Sequence, residues 1–91
     1  MSMFRFAMGR ICMTPGVETV LASTGTDFMG LVQRHGMGDW GVVDADDAAA
    51  NDAAVLDGDR IVSSYLVGTE KVWIITESDR SATTLLLPDE Y

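Results

Sequence analysis

A single cysteine, Cys12, stands in the chain, so no disulfide can close within it. That fits a reducing compartment, and the expected location is the cytoplasm. A single histidine, His35, joined only to that one thiol, excludes the usual zinc ligand sets. Lys and Arg together number six. They are too few and too scattered to grip a phosphate backbone, so neither nucleic acid nor an anionic membrane is expected as a direct partner. No apolar run approaches the roughly 18–20 residues that cross a bilayer. The opening Met1-Ser2-Met3-Phe4-Arg5-Phe6-Ala7 lacks the basic-then-apolar order of a secretory signal. No Gly-Lys-Ser/Thr occurs, and Gly36-Met37-Gly38 lacks both a third glycine and the strand–loop–helix setting of a nucleotide loop. No cofactor is therefore expected.

What is present describes one small acidic domain spanning residues 1–91, with 47% apolar residues and 22% charged. A chain of this mass keeps roughly 5,200 Å² of accessible surface when folded and buries close to two-thirds of what it exposes unfolded. One modest core is within reach. The charge is uneven. Fourteen carboxylates face six cations, for a net charge of −8. Seven of those acids, Asp39, Asp44, Asp46, Asp47, Asp52, Asp57 and Asp59, fall between Asp39 and Asp59 with no Lys or Arg among them. The remaining seven acids nearly balance the cations. A solvated face that keeps the protein soluble accounts for such a cluster. A docking surface for a basic partner accounts for its one-sidedness as well, because ordinary surfaces intersperse both signs.

Local signals give the element order. Met8–Met13 reads as an opening strand. Thr14 as N-cap and Pro15 at the first helical position start a helix in which Val17, Val20 and Leu21 share a face, and Gly25 closes it. Thr26-Asp27 starts a second, with Phe28, Leu31 and Val32 on one face and Gly36 at the stop. Gly38-Asp39-Trp40-Gly41 is a turn that docks Trp40 into the core. A third helix runs from the N-cap Asp44 to Gly58, with Asp46 and Asp47 suiting its positive end and Asp57 opposing its negative end. Arg60–Val67, Lys71–Glu77 and Ser81–Leu87 read as strands joined by short turns, hence an antiparallel meander. The expected fold is α+β: a short N-terminal strand, two to three helices, then a three-stranded antiparallel meander with the helices on one sheet face. Trp40, Tyr65 and Trp73 are assigned to the core.

Catalytic patterns are thin. Cys12 falls among Ile11 and Met13, where a buried inert thiol is the common outcome, and His35 lies near a helix end where a cation suits the dipole. Glu77 and Asp79 flank a hairpin turn, where one of them is expected to pair with Arg80. Asp44-Ala45-Asp46-Asp47 starts like a calcium loop, but the template then wants an oxygen ligand, a glycine and a glutamate where Ala48, Ala49 and Val55 stand. No metal is expected.

Several pieces together resemble a known family. They are Thr14-Pro15-Gly16, Gly38-Asp39-Trp40-Gly41, Asn51 with Ala54, Arg60, Ser63, Tyr65, and the ending from Trp73 through Ser78-Asp79-Arg80-Ser81 to Pro88-Asp89-Glu90-Tyr91. The chain is similar, over nearly all its length, to small bacterial proteins labelled plasmid-related and carried on plasmids and integrated mobile elements. It departs from them at Ala48, where they carry a bulky aromatic, so looser packing of the third helix is expected. The resemblance implies a mobile-element setting, and small acidic proteins of such elements include DNA-imitating inhibitors of restriction and CRISPR systems.

The expected function is a non-enzymatic interaction protein. Its seven clustered acids would occupy a basic, nucleic-acid-binding surface of a host defence complex, the protein itself being a monomer or homodimer. Residues five apart on a helix rise by about 7.5 Å, close to the separation of neighbouring phosphates, and Asp47, Asp52 and Asp57 have that spacing. Two alternatives stand beside it. One is a regulatory homodimer acting through a sheet edge formed by Leu85-Leu86-Leu87. The other is a small hydrolase built on the Glu77–Arg80 turn together with His35.

Overall fold

The computed structural model describes residues 4–91, so Met1-Ser2-Met3, part of the segment read for a signal sequence, lies outside the described residues. The chain runs β1 (Arg10–Met13), α1 (Pro15–Thr24), α2 (Phe28–Gly36), α3 (Ala45–Asp57), β2 (Ile61–Val67), β3 (Glu70–Thr76), β4 (Ala82–Leu86) and a 3-10 turn at Pro88–Glu90. Exposed surface is 5235 Å², the value expected for a compact chain of this mass.

The helix boundaries follow from their caps. Thr14 Oγ1 accepts from Val17 N at 3.4 Å, Asp27 Oδ1 from Met29 N at 3.1 Å and Asp44 Oδ1 from Asp47 N at 2.8 Å. Each supplies an acceptor to an N–H that has none inside its helix. Gly25 and Gly58 end α1 and α3 in the left-handed region, at φ 68° and 78°.

The fold is α+β, with the sheet mixed. β2, β3 and β4 form the antiparallel meander, and β1 adds to it parallel to β4, giving the order β1-β4-β3-β2. Two expectations are thereby corrected. The opening strand is a fourth member of the sheet. Leu85 and Leu86 sit in an interior strand, between β1 and β3, and not at an edge. Short loops fix only how consecutive strands pair. They say nothing of where a strand placed before three helices will return.

Strand alternation assigns the two faces. Ile61, Tyr65 and Val67 of β2, Val72 and Ile74 of β3 and Leu85 of β4 point toward the helices and pack with Val17 and Leu21 of α1 and Leu31 and Val32 of α2. α3 is set differently. It buries only Asn51 and Ala54. Asn51 lies along the β2 edge, where its side-chain amide donates to Val62 O at 2.8 Å and accepts from Val62 N at 3.1 Å. Next to it, Ser64 N donates to Trp40 O at 3.1 Å and Val42 N to Ser64 O at 2.7 Å. This close approach requires glycine at 41: φ there is 77°, and a Cβ would stand 1.9 Å from Ser64 O.

Trp40 and Tyr65 are buried, as expected, at 5% and 1% exposure. Trp73 is not. It is half-buried and packs edge-to-face against Tyr91, with ring centroids 5.9 Å apart. Its register partners Ser64 and Leu86 share its face, opposite the helices. β-Propensity alone does not say which parity of a strand faces the core.

Candidate interaction surface

All seven acids between Asp39 and Asp59 are exposed. They are not equivalent. Asp39 is bound to Arg34, Oδ2 accepting from Nε at 2.7 Å, and its Oδ1 also accepts from Gly41 N at 3.2 Å. This guanidinium holds the Asp39 carboxyl below its usual range. Asp44 caps α3. Asp52 accepts from the Trp40 indole, Nε1 to Oδ1 at 3.0 Å, so it satisfies the polar end of a core aromatic. These three carboxylates hold the fold.

Asp46, Asp47, Asp57 and Asp59 carry no ion pair among the described residues, where Arg34–Asp39 is the one such pair. Helical geometry separates them further. At 100° per residue, Asp46 and Asp57 fall within about 20° of each other on one flank of α3, about 90–110° round from the buried Asn51–Ala54 line and roughly 16 Å apart along the axis. The expected row Asp47–Asp52–Asp57 does not form. Its members rotate by about 140° per step, and Asp52 is engaged by Trp40. Asp47 instead lines a groove of about 360 Å³ with Val43, Ala50, Asn51, Arg60 and Val62. Arg60 there donates to the Tyr91 hydroxyl at 2.6 Å.

The negative end of α3, where Asp57 stands, receives a cation from across the fold, on its carbonyls and not on the Asp57 carboxylate. Arg80 Nη2 donates to Ala54 O at 2.9 Å, and Nη1 donates to Asp59 O at 2.7 Å and to Glu77 O at 3.3 Å. The guanidinium thus serves carbonyls at the end of α3. The expected pairing of Arg80 with Glu77 or Asp79 is therefore corrected. Asp79 accepts from Ser81 N at 3.0 Å. Arg80 itself holds φ 61°, an unfavourable conformation for a side-chain-bearing residue, and its three carbonyl contacts pin it there.

Sequence reasoning missed a buried polar chain. His35 has no exposed surface. Its Nδ1 meets Ser63 Oγ at 2.5 Å and its Nε2 meets Thr76 Oγ1 at 2.9 Å. Thr76 Oγ1 lies 2.7 Å from Thr83 Oγ1, which donates to Met8 O at 2.7 Å. The carbonyl can only accept, and with the ring neutral this fixes every proton in the chain. Thr83 gives its hydrogen to Met8, so Thr76 donates to Thr83. His35 then donates from Nε2 and accepts from Ser63 at Nδ1. Burial lowers the imidazole pKa to about 4, so the ring is neutral at pH 7. The expectation of a histidine cation serving a helix end is overturned, because the ring turns inward onto hydroxyls. The signal lay in three hydroxyl residues, Ser63, Thr76 and Thr83, at inward strand positions beside Ile61, Ile74 and Leu85.

The same burial bears on catalysis. Both ring nitrogens are taken by hydroxyls, and the imidazole presents no surface to a substrate at the Glu77–Arg80 turn. Cys12 is half-buried on β1. Among the described residues no group of three or more His, Cys, Asp or Glu side chains is placed to hold a metal ion, and no helix is long and apolar enough to cross a membrane. Comparison with protein-family models, with curated proteins and with solved structures finds no match to the chain.

Proposed function

We propose that this chain is a non-enzymatic, acidic interaction protein. It docks through the α3 side on a cationic, nucleic-acid-binding surface of another protein. The reading is carried by one observation: Asp46, Asp47, Asp57 and Asp59 are exposed and their carboxylates form no ion pair among the described residues, while the neighbouring acids are bound to the fold. Carboxylates left unneutralised in this way create a field that attracts and orients a basic groove. The resemblance to plasmid-related proteins supplies the setting, a mobile element acting against a restriction or CRISPR complex in the cytoplasm.

A tagged pull-down from host lysate at low salt, released by a salt gradient, tests this. One nucleic-acid-binding complex should be recovered. It should be released by moderate salt and lost from the variant carrying Asp46→Asn, Asp47→Asn, Asp57→Asn and Asp59→Asn. These four positions spare the cap of α3 and the Trp40 indole, so loss of binding would not reflect unfolding. A complex that survives all four changes, or that ignores salt, refutes the reading.

A further inference from the structure

The two edges of the sheet are finished differently. Along β2, Asn51 satisfies both backbone groups of Val62, and the Trp40–Val42 segment satisfies those of Ser64. That edge is closed. Along β1, Arg10 N donates to Ser81 O and Thr14 N to Leu85 O, so the even-numbered residues face β4. In a parallel ladder the residues between them must face the other way. The N–H and C=O groups of Ile11 and Met13 therefore point off the sheet, where they meet no hydrogen-bond partner among the described residues. An open edge of this kind is a template for another strand.

We propose that β1 pairs antiparallel with β1 of a second copy of this chain, about a twofold axis at Cys12, making one continuous sheet across the dimer. Three features point to this occupant. The register is self-complementary: a twofold at Cys12 sets Ile11 opposite Met13 of the second copy and Met13 opposite its Ile11, so every outward backbone group on these residues finds a partner. On the helix side, Ile11 is 39% exposed. It would arrive beside Met13 of the second copy, which walls a groove of about 300 Å³ together with Leu21, Ala22 and Phe28. On the opposite face, Arg10 would come to lie beside Thr14 of the second copy. The hydroxyl of Thr14 is bonded to the Glu90 carboxylate at 2.6 Å, and Arg10 has no ion pair among the described residues. The pairing thus joins a cation to a carboxylate twice. The strand order also keeps α3, at the β2 edge, on the far side of each copy, so the two acidic faces do not meet.

The inference is independent of the proposed docking function, and Asp46→Asn with Asp57→Asn should leave it unchanged. Sedimentation equilibrium under reducing conditions, from about 1 to 300 µM, should show the mass rising from 9.8 kDa toward twice that value. Ile11→Lys and Arg10→Glu should each weaken association at least about tenfold, with circular dichroism and Trp emission unchanged. Cys12 supplies a register probe. Opposite its own copy it forms a non-hydrogen-bonded pair with Cα atoms about 4.5 Å apart, within disulfide reach. Diamide should therefore trap the dimer, taking up the two electrons and two protons released as the Sγ–Sγ bond forms. Trapping should fall in step with association in Ile11→Lys. A chain that stays at 9.8 kDa throughout overturns the proposal. So does a dimer indifferent to both substitutions, or one in which Cys12 is not trapped.

Discussion

Acidification from pH 7 to 5 should cost this fold stability through one residue, His35. The ring is neutral when folded, with a pKa of about 4, against 6.5 for an exposed imidazole. Between those values the unfolded chain binds a proton that the folded chain does not, so stability rises with pH in this window. The contribution is complete above about pH 6.5 and is lost progressively as pH falls toward 4. At 1.36 kcal/mol per pKa unit the whole span is worth about 3 kcal/mol, and roughly 2 kcal/mol of it is gone by pH 5. The structural reason is Nδ1, which accepts from Ser63. A proton there would turn Ser63 from donor to acceptor and leave a charge in a dry site. Urea unfolding followed by Trp emission at pH 7, 6 and 5 measures the effect, with His35→Gln as the non-titrating control. Asp39, whose pKa is lowered beside Arg34, also loses stabilisation in acid, and the control carries that change equally. The wild-type stability should therefore fall by about 2 kcal/mol more than that of the variant between pH 7 and 5. Parallel curves would refute both the burial argument and the assigned proton chain.

Two further substitutions probe the supports of the fold. Asn51→Ala should destabilise by about 2 kcal/mol, because it leaves the N–H and C=O of Val62 without partners. Asn51→Asp should not rescue at pH 7, since the carboxylate cannot donate to Val62 O, and chemical denaturation of the pair tests both statements. Arg80→Ala should cost about 2 kcal/mol by releasing three carbonyls. Arg80→Gly should cost less than Arg80→Ala, because glycine accepts φ 61° without strain, and the difference in melting temperature between the two variants measures that strain.

Legibility in the sequence followed the range of the interaction. Thr14, Asp27 and Asp44 act within three residues of themselves, and Gly25 and Gly58 within one turn, so all three helices were readable from neighbours alone. The placement of β1 depends on a strand beyond three helices, and no local pattern reports it. Residue type assigns Trp73 to the core, whereas its strand parity sets it on the outer face. The acidic segment was legible as charge but not as geometry. Asp52 and Asp39 have the composition of a docking surface and the contacts of structural residues, and only the folded positions of Trp40 and Arg34 separate the two. His35 illustrates the same limit, since its partners Ser63 and Thr76 are ordinary strand residues until the sheet aligns them.

The parallel join of β1 to β4 also sets an order of events. Arg10 pairs with Ala82, about seventy residues further along the chain, and the hydroxyl of Thr83 reaches back to Met8. The meander from β2 to β4 closes through turns of a few residues and can form early. The first strand has no template until that meander exists, and bringing it home closes the longest loop in the molecule. β1 should therefore be the last strand to dock and the first to leave. In the dilute monomer its amides should exchange with solvent deuterium sooner than those of β3, whose both edges are paired within the chain.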